Sequence, residues 1–99
     1  MPDYVLIRHK VRSFNEWKPA YDAHLPEREA AGMTESHLLQ GKDDPNEVII
    51  LFEADDLAKA RVLMESEEIR EVMQKAGVMD KPDIFYLTAS SASSVAEAN

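Results

Sequence analysis

The chain has 99 residues, 19 acidic against 11 basic side chains, a net charge of -8 and no cysteine. That length is one domain with a thin core; the lack of cysteine excludes disulfides and thiolate metal sites, and the acidic balance excludes a face built to bind phosphate backbones. No apolar run approaches the roughly 18–20 residues of a membrane span and Met1-Pro2-Asp3-Tyr4 lacks the basic and apolar regions of a signal peptide, so a cytoplasmic protein with no membrane or nucleic-acid partner is expected.

Tyr4 to Val11 is aromatic, β-branched and short, and predicts a first strand. Ser13 and Glu16 have the spacing of a capping box, with Ser13 accepting from the third helical N–H and Glu16 reaching back. A helix then runs to about His24. Pro26 breaks it near Leu25 and suits the first turn of a short second helix, Glu27 to Ala31, which Gly32 ends in the left-handed conformation. Met33 to Gln40 is a second, more polar strand. The turn cluster at residues 41–46 joins it to the most apolar strand, Glu47 to Ala54, and so short a loop requires a hairpin.

Asp55 or Asp56 caps the next helix, which carries Leu57, Ala60 and Met64. Ser66 starts another, with Glu67 and Glu68 in a first turn that favours negative charge. Ile69, Val72, Met73 and Ala76 then form one buried helical stripe, and Gly77 ends it. Asp83 to Thr88 is the last strand. The order is β-α-β-β-α-β: an α+β, ferredoxin-like fold, a four-stranded antiparallel sheet with its helices on one face. Residues 1–88 form the domain and 89–99 a flexible polar C-terminal tail.

Three strands are apolar on both faces. Val5 and Ile7 oppose Tyr4 and Leu6; Val48, Ile50 and Phe52 oppose Ile49 and Leu51; Ile84 and Tyr86 oppose Phe85 and Leu87. Helices cover only one face, and a one-sided antiparallel sheet should alternate apolar with polar. The second face is expected to be covered by another copy in a two-fold homodimer. Arg8, on that face, is expected to find its partner across the interface, whereas Phe14, Met64, Met73 and Phe85 read as core.

Phe14, Trp17-Lys18, His24, Arg28, Gly32, Asp44-Pro45-Asn46, Ser66, Met73, Ala76-Gly77-Val78 and Pro82 together resemble the dimeric α+β barrel superfamily, and within it the small cyclase-like proteins grouped with the antibiotic biosynthesis monooxygenase domain. The resemblance covers roughly residues 4–88. It implies a dimeric barrel with a pocket between sheet and helices in each subunit. The superfamily includes cofactor-free oxygenases of polycyclic aromatic polyketides, haem-degrading enzymes and muconolactone-type isomerases.

Trp17, Tyr21, His24 and Arg28 fall at i, i+4, i+7 and i+11, one face of an unbroken helix. Two aromatic surfaces, an imidazole and a fixed cation suit a planar, partly anionic ligand. The same aromatics also suit plain packing on a sheet, and Pro26 could turn Arg28 off the line. His9 shares the inner face with Val5 and Ile7 and could meet His24 as an acid/base pair, or sit at the strand end bonded to backbone. Tyr86 could bring a phenol to the pocket or pack under it. His37 lies on an edge strand and blunts it. The histidines lack the spacing of a metal pair, so no metal is expected.

The function expected is that of a small-molecule enzyme, a cofactor-free monooxygenase or a cyclase/isomerase acting on an aromatic or conjugated substrate. His24 and His9 would be catalytic; Trp17, Tyr21, Arg28 and Tyr86 would bind substrate. The alternatives are a non-catalytic ligand-binding or assembly domain and a haem binder with His24 or His9 as axial ligand.

Overall fold

Side-chain caps set three of the four helix starts in the computed structural model, which describes residues 2–90. Ser13 Oγ accepts from Glu16 N at 3.4 Å, Asp56 Oδ1 from Ala58 N at 3.0 Å and Ser66 Oγ from Ile69 N at 3.2 Å. The reciprocal half of the expected capping box is replaced: the Glu16 carboxylate accepts from Arg12 Nε at 3.1 Å. An ionised donor one turn back competes well against a neutral backbone N–H.

In chain order the elements are β1 (Asp3–Lys10), α1 (Phe14–Ala23), α2 (Leu25–Ala30), β2 (Met33–Gln40), β3 (Glu47–Ala54), α3 (Leu57–Met64), α4 (Glu67–Lys75) and β4 (Asp83–Thr88). Each α position of the βαββαβ order is thus a broken pair of helices. His24 is the hinge of the first pair, closing α1 and opening α2 with Pro26 in the first turn. Gly32 and Gly77 carry φ of +73° and +92°, the left-handed values expected after a helix. Of the C-terminal tail, residues 91–99 lie outside the described residues.

The sheet is antiparallel in the order β2-β3-β1-β4, with β2 and β4 at the edges. Ile7 pairs with Ile50 and Ile84, and Val5 with Phe52 and Tyr86, so these residues share the helix-facing side. Their neighbours Leu6, Leu51 and Phe85 form the middle row of the opposite side. A bulge between Glu35 and His37 on β2 flips the parity of everything after it. It leaves Glu35 level with Phe52 and puts His37 level with Leu51. The core lies between sheet and helices and is built from Val5, Ile7, Trp17, Met33, Ile50, Phe52, Ala60, Met64 and Ile69.

Two expectations about the outer face change. Phe85 is 47% exposed in the single chain, because its parity on β4 turns it away from the helices. Arg8 finds its partners within its own sheet: Nη2 lies 2.9 Å from Glu47 Oε2 on β3, and Nη1 lies 4.0 Å from Asp83 Oδ2 on β4. A central strand places both neighbours within reach of one long side chain. No helix among the described residues is long and apolar enough to cross a membrane.

Candidate functional site

α1 lays one aromatic stripe across the sheet. Trp17 and Tyr21, one turn apart, stack with ring centroids 4.7 Å apart and planes 22° apart. Below the stack, the His9 ring meets Trp17 edge-on at 5.6 Å. Above it, the Arg28 guanidinium lies 3.8 Å from the Tyr21 ring centroid. The kink at His24 does not remove Arg28 from the line. Its Nη1 reaches back to donate to the Tyr21 carbonyl at 2.7 Å, which also accepts from His24 N at 3.2 Å at the end of α1.

These side chains wall a cavity of about 50 Å³ between sheet and helices. His9, Trp17, Tyr21, His24 and Arg28 all line it, together with Ile7, Ile50 and Phe52 from the sheet and Met64, Ile69, Val72, Met73 and Ala76 from the second helix pair. Five of the six residues expected at the site are therefore brought together. Tyr86 is not. It faces the helices, but its ring packs under Arg61, 4.3 Å away, and its hydroxyl donates to Glu65 at 3.4 Å. Partial burial, with Glu65 adding to it, raises its phenol pKa above the ordinary value.

The polar groups in the cavity are unusually bare. His9 is 6% exposed, yet neither Nδ1 nor Nε2 has a hydrogen-bond partner. The expected alternative, a strand-end histidine bonded to backbone, is thereby overturned. Burial lowers its pKa to about 4, which keeps the ring neutral at pH 7, with one donor and one acceptor. His24 Nε2 is likewise buried and unpaired. Its Nδ1 lies 3.7 Å from Glu27 Oε2. That is beyond hydrogen-bond length. Arg28 is 6% exposed, and no carboxylate among the described residues forms an ion pair with it. Tyr21 donates its hydroxyl to Glu35 Oε1 at 2.7 Å. Burial first, and this bond second, push its phenol well above the ordinary value, so it stays protonated.

Glu27 and Glu35 were not anticipated. Glu27 carries a signal, the i, i+3 spacing from His24 across a helix start. Glu35 carries none, since its reach to Tyr21 depends on the shape of β2 just before the bulge. Among the described residues, no group of three or more His, Cys, Asp or Glu side chains could hold a metal ion.

No protein-family model and no curated protein matches the chain. Solved structures do. An antibiotic biosynthesis monooxygenase-type protein of Bordetella bronchiseptica superposes with a TM-score of 0.71 at 12% identity, over 90% of this chain and 97% of its own. A conserved protein of Methanosarcina mazei gives 0.70 at 14%, over 91% and 94%. SnoaB of Streptomyces nogalater, described as a cofactor-independent oxygenase, gives 0.65 at 13%, over 91% and 96%.

The fold is that of the antibiotic biosynthesis monooxygenase-like proteins. Identities of 12–14% make this a likeness of backbone, and chemistry has to be argued from the cavity.

Proposed function

We propose that the chain is a small-molecule enzyme that removes a proton from an aromatic or conjugated substrate without a cofactor, as the first step of an oxygenation or of an isomerisation or cyclisation. One observation carries this reading: three imidazole nitrogens, two on His9 and one on His24, are buried without partners on residues that line one small cavity together with Arg28. Leaving buried polar groups unpaired is unfavourable unless a ligand completes them. His24 Nε2, backed by Glu27, is the base. His9, neutral at pH 7, hydrogen-bonds the reacting edge. Arg28 pairs with the oxyanion that forms, and Trp17 and Tyr21 wall that end of the cavity. The enolate so produced can react with dioxygen or be reprotonated at another carbon. The cofactor-independent oxygenase on the same fold in Streptomyces nogalater supports the first branch.

His24→Ala is expected to lower turnover of a hydroquinone-like polyketide surrogate by about 10²–10⁴-fold, the usual contribution of a general base, with an unchanged circular dichroism spectrum. Equal turnover in variant and parent would remove His24 as the base. Quenching of Trp17 fluorescence by the surrogate with no turnover in either protein would instead favour a binding domain.

The working unit of this reading is a homodimer joined through the outer sheet face. Leu6, Ile49 and Leu51 lie at the middle of that face, with Leu39, Phe85 and Leu87 exposed around them. A sheet surface this apolar is best covered by its own two-fold copy. Light scattering at micromolar concentration should give twice the 11.2 kDa chain mass. A sharp peak at the chain mass itself would refute the dimer.

A further inference from the structure

The cavity beside His9 is too small to be the whole of a ligand site. It holds about 50 Å³, whereas pockets for small organic ligands usually span about 300–1,000 Å³. A second space of about 820 Å³ lies between α4, residues 78–82 and the start of β4. Met64, Ile69 and Met73 line both spaces. The partition is therefore a few apolar side chains, two of them unbranched methionines whose torsions change readily.

The two spaces differ in chemistry. The small one gathers His9, His24 and the buried Arg28. The larger one adds Val78, Met79, Pro82 and Ile84 to the shared apolar wall, with Glu65, Ser66, Arg70, Gln74, Asp80 and Lys81 around it. Arg28 cannot shed its charge by losing a proton. Its hydrogen bond to the Tyr21 carbonyl engages one nitrogen, and its face rests on the Tyr21 ring. What such a group lacks is an anion of planar, two-oxygen shape.

We infer that the two spaces form one site for a conjugated or aromatic carboxylic acid: its carboxylate pairs with Arg28, and its apolar body passes between Met64 and Met73 into the groove beside α4. The inference rests on the reading of the cavity as a ligand site, and it adds the charge, polarity and direction of the ligand. The overall charge of -8 repels anions at long range, so acid selectivity here would be local to Arg28.

The test uses a matched pair, 2-naphthoate and 2-naphthamide, with acetate as a probe for the head alone. Binding is followed by Trp17 fluorescence and by methionine-methyl NMR on the full chain. The acid should bind at least about tenfold tighter than the amide, as an added charge-assisted bond implies. Arg28→Gln should reduce that preference below about threefold. Should Arg28→Gln fail to fold, Arg28→Lys serves, since it keeps the charge, loses the fork and should bind the acid in between. Naphthoate should move the methyl signals of both Met64 and Met73, and acetate should move neither strongly. Equal affinity for acid and amide, a preference that survives Arg28→Gln, or naphthoate binding with unmoved methionine signals would each overturn the inference while leaving the cavity a ligand site. Absence of binding by both naphthyl probes to folded protein would overturn both readings.

Discussion

Trp17→Ala is expected to lower the free energy of unfolding by about 3–5 kcal/mol, measured by urea titration at pH 7.5. At about 4–8 °C per kcal/mol for a domain of this size, the melting temperature should fall by roughly 12–40 °C. The indole is 3% exposed and sits in the middle of the aromatic pile. It touches Phe14 at 5.6 Å, Tyr21 at 4.7 Å and His9 at 5.6 Å between ring centroids. Removing it extends an existing cavity instead of opening an isolated one, and a wall shared with empty space cannot collapse to heal the gap. Trp17→Phe should cost far less, because it keeps the stack on Tyr21 and loses only one ring. A loss below about 1 kcal/mol for the alanine variant would mean that the stack holds little of the fold together, against the usual cost of such a truncation.

The same residue bears on a question the sequence poses badly. Periodicity offers Trp17 and Tyr21 either as core or as ligand wall. The structure puts them in the core and on the wall of its small cavity at once. What was legible follows from local rules. Ser13, Asp56 and Ser66 are caps, Gly32 and Gly77 are stops, and strict parity along β1 and β3 places His9 with Val5 and Ile7. The line Trp17, Tyr21, His24, Arg28 was legible as well, because the hinge at His24 bends the helix without rotating Arg28 out of reach.

What was not legible depends on distance between elements. Ile69, Val72 and Met73 read as one packing stripe, and spacing cannot say that they wall a cavity shared with a groove. The bulge near Ser36 has no glycine or proline to announce it, so the contact of Glu35 with Tyr21 was invisible. Arg8 and Glu16 both found ionised partners in their own chain that a pattern of caps and faces does not rank. Tyr86 had the right parity for the cavity and lost it to Arg61, which lies over its ring.

His9 should make the fold acid-sensitive in a window set by its own titration. Its ordinary pKa is 6.5, and burial lowers it to about 4 in the folded chain. The unfolded chain therefore binds the proton first as pH falls. Stability from keeping this ring neutral is fully present above pH 6.5, declines as pH drops through that value and levels off near pH 4. The span corresponds to about 3 kcal/mol. Carboxylates begin to titrate at the lower end, and His24 and Arg28 line the same cavity, so the measurement is a difference. Urea unfolding is followed from pH 7.5 to 4 for the parent and for His9→Phe, in which all those groups remain. The phenylalanine keeps a ring edge on Trp17 and removes two unpaired nitrogens. It should match or exceed the parent in stability at pH 7.5, and its stability should fall by about 3 kcal/mol less between pH 6.5 and 4. Parallel curves for the two proteins would show that His9 is not held neutral by burial. A variant that is more stable, less acid-sensitive and unable to bind 2-naphthoate would locate the use of His9 in the ligand it faces, because the folded chain alone gains nothing from a polar ring in that place.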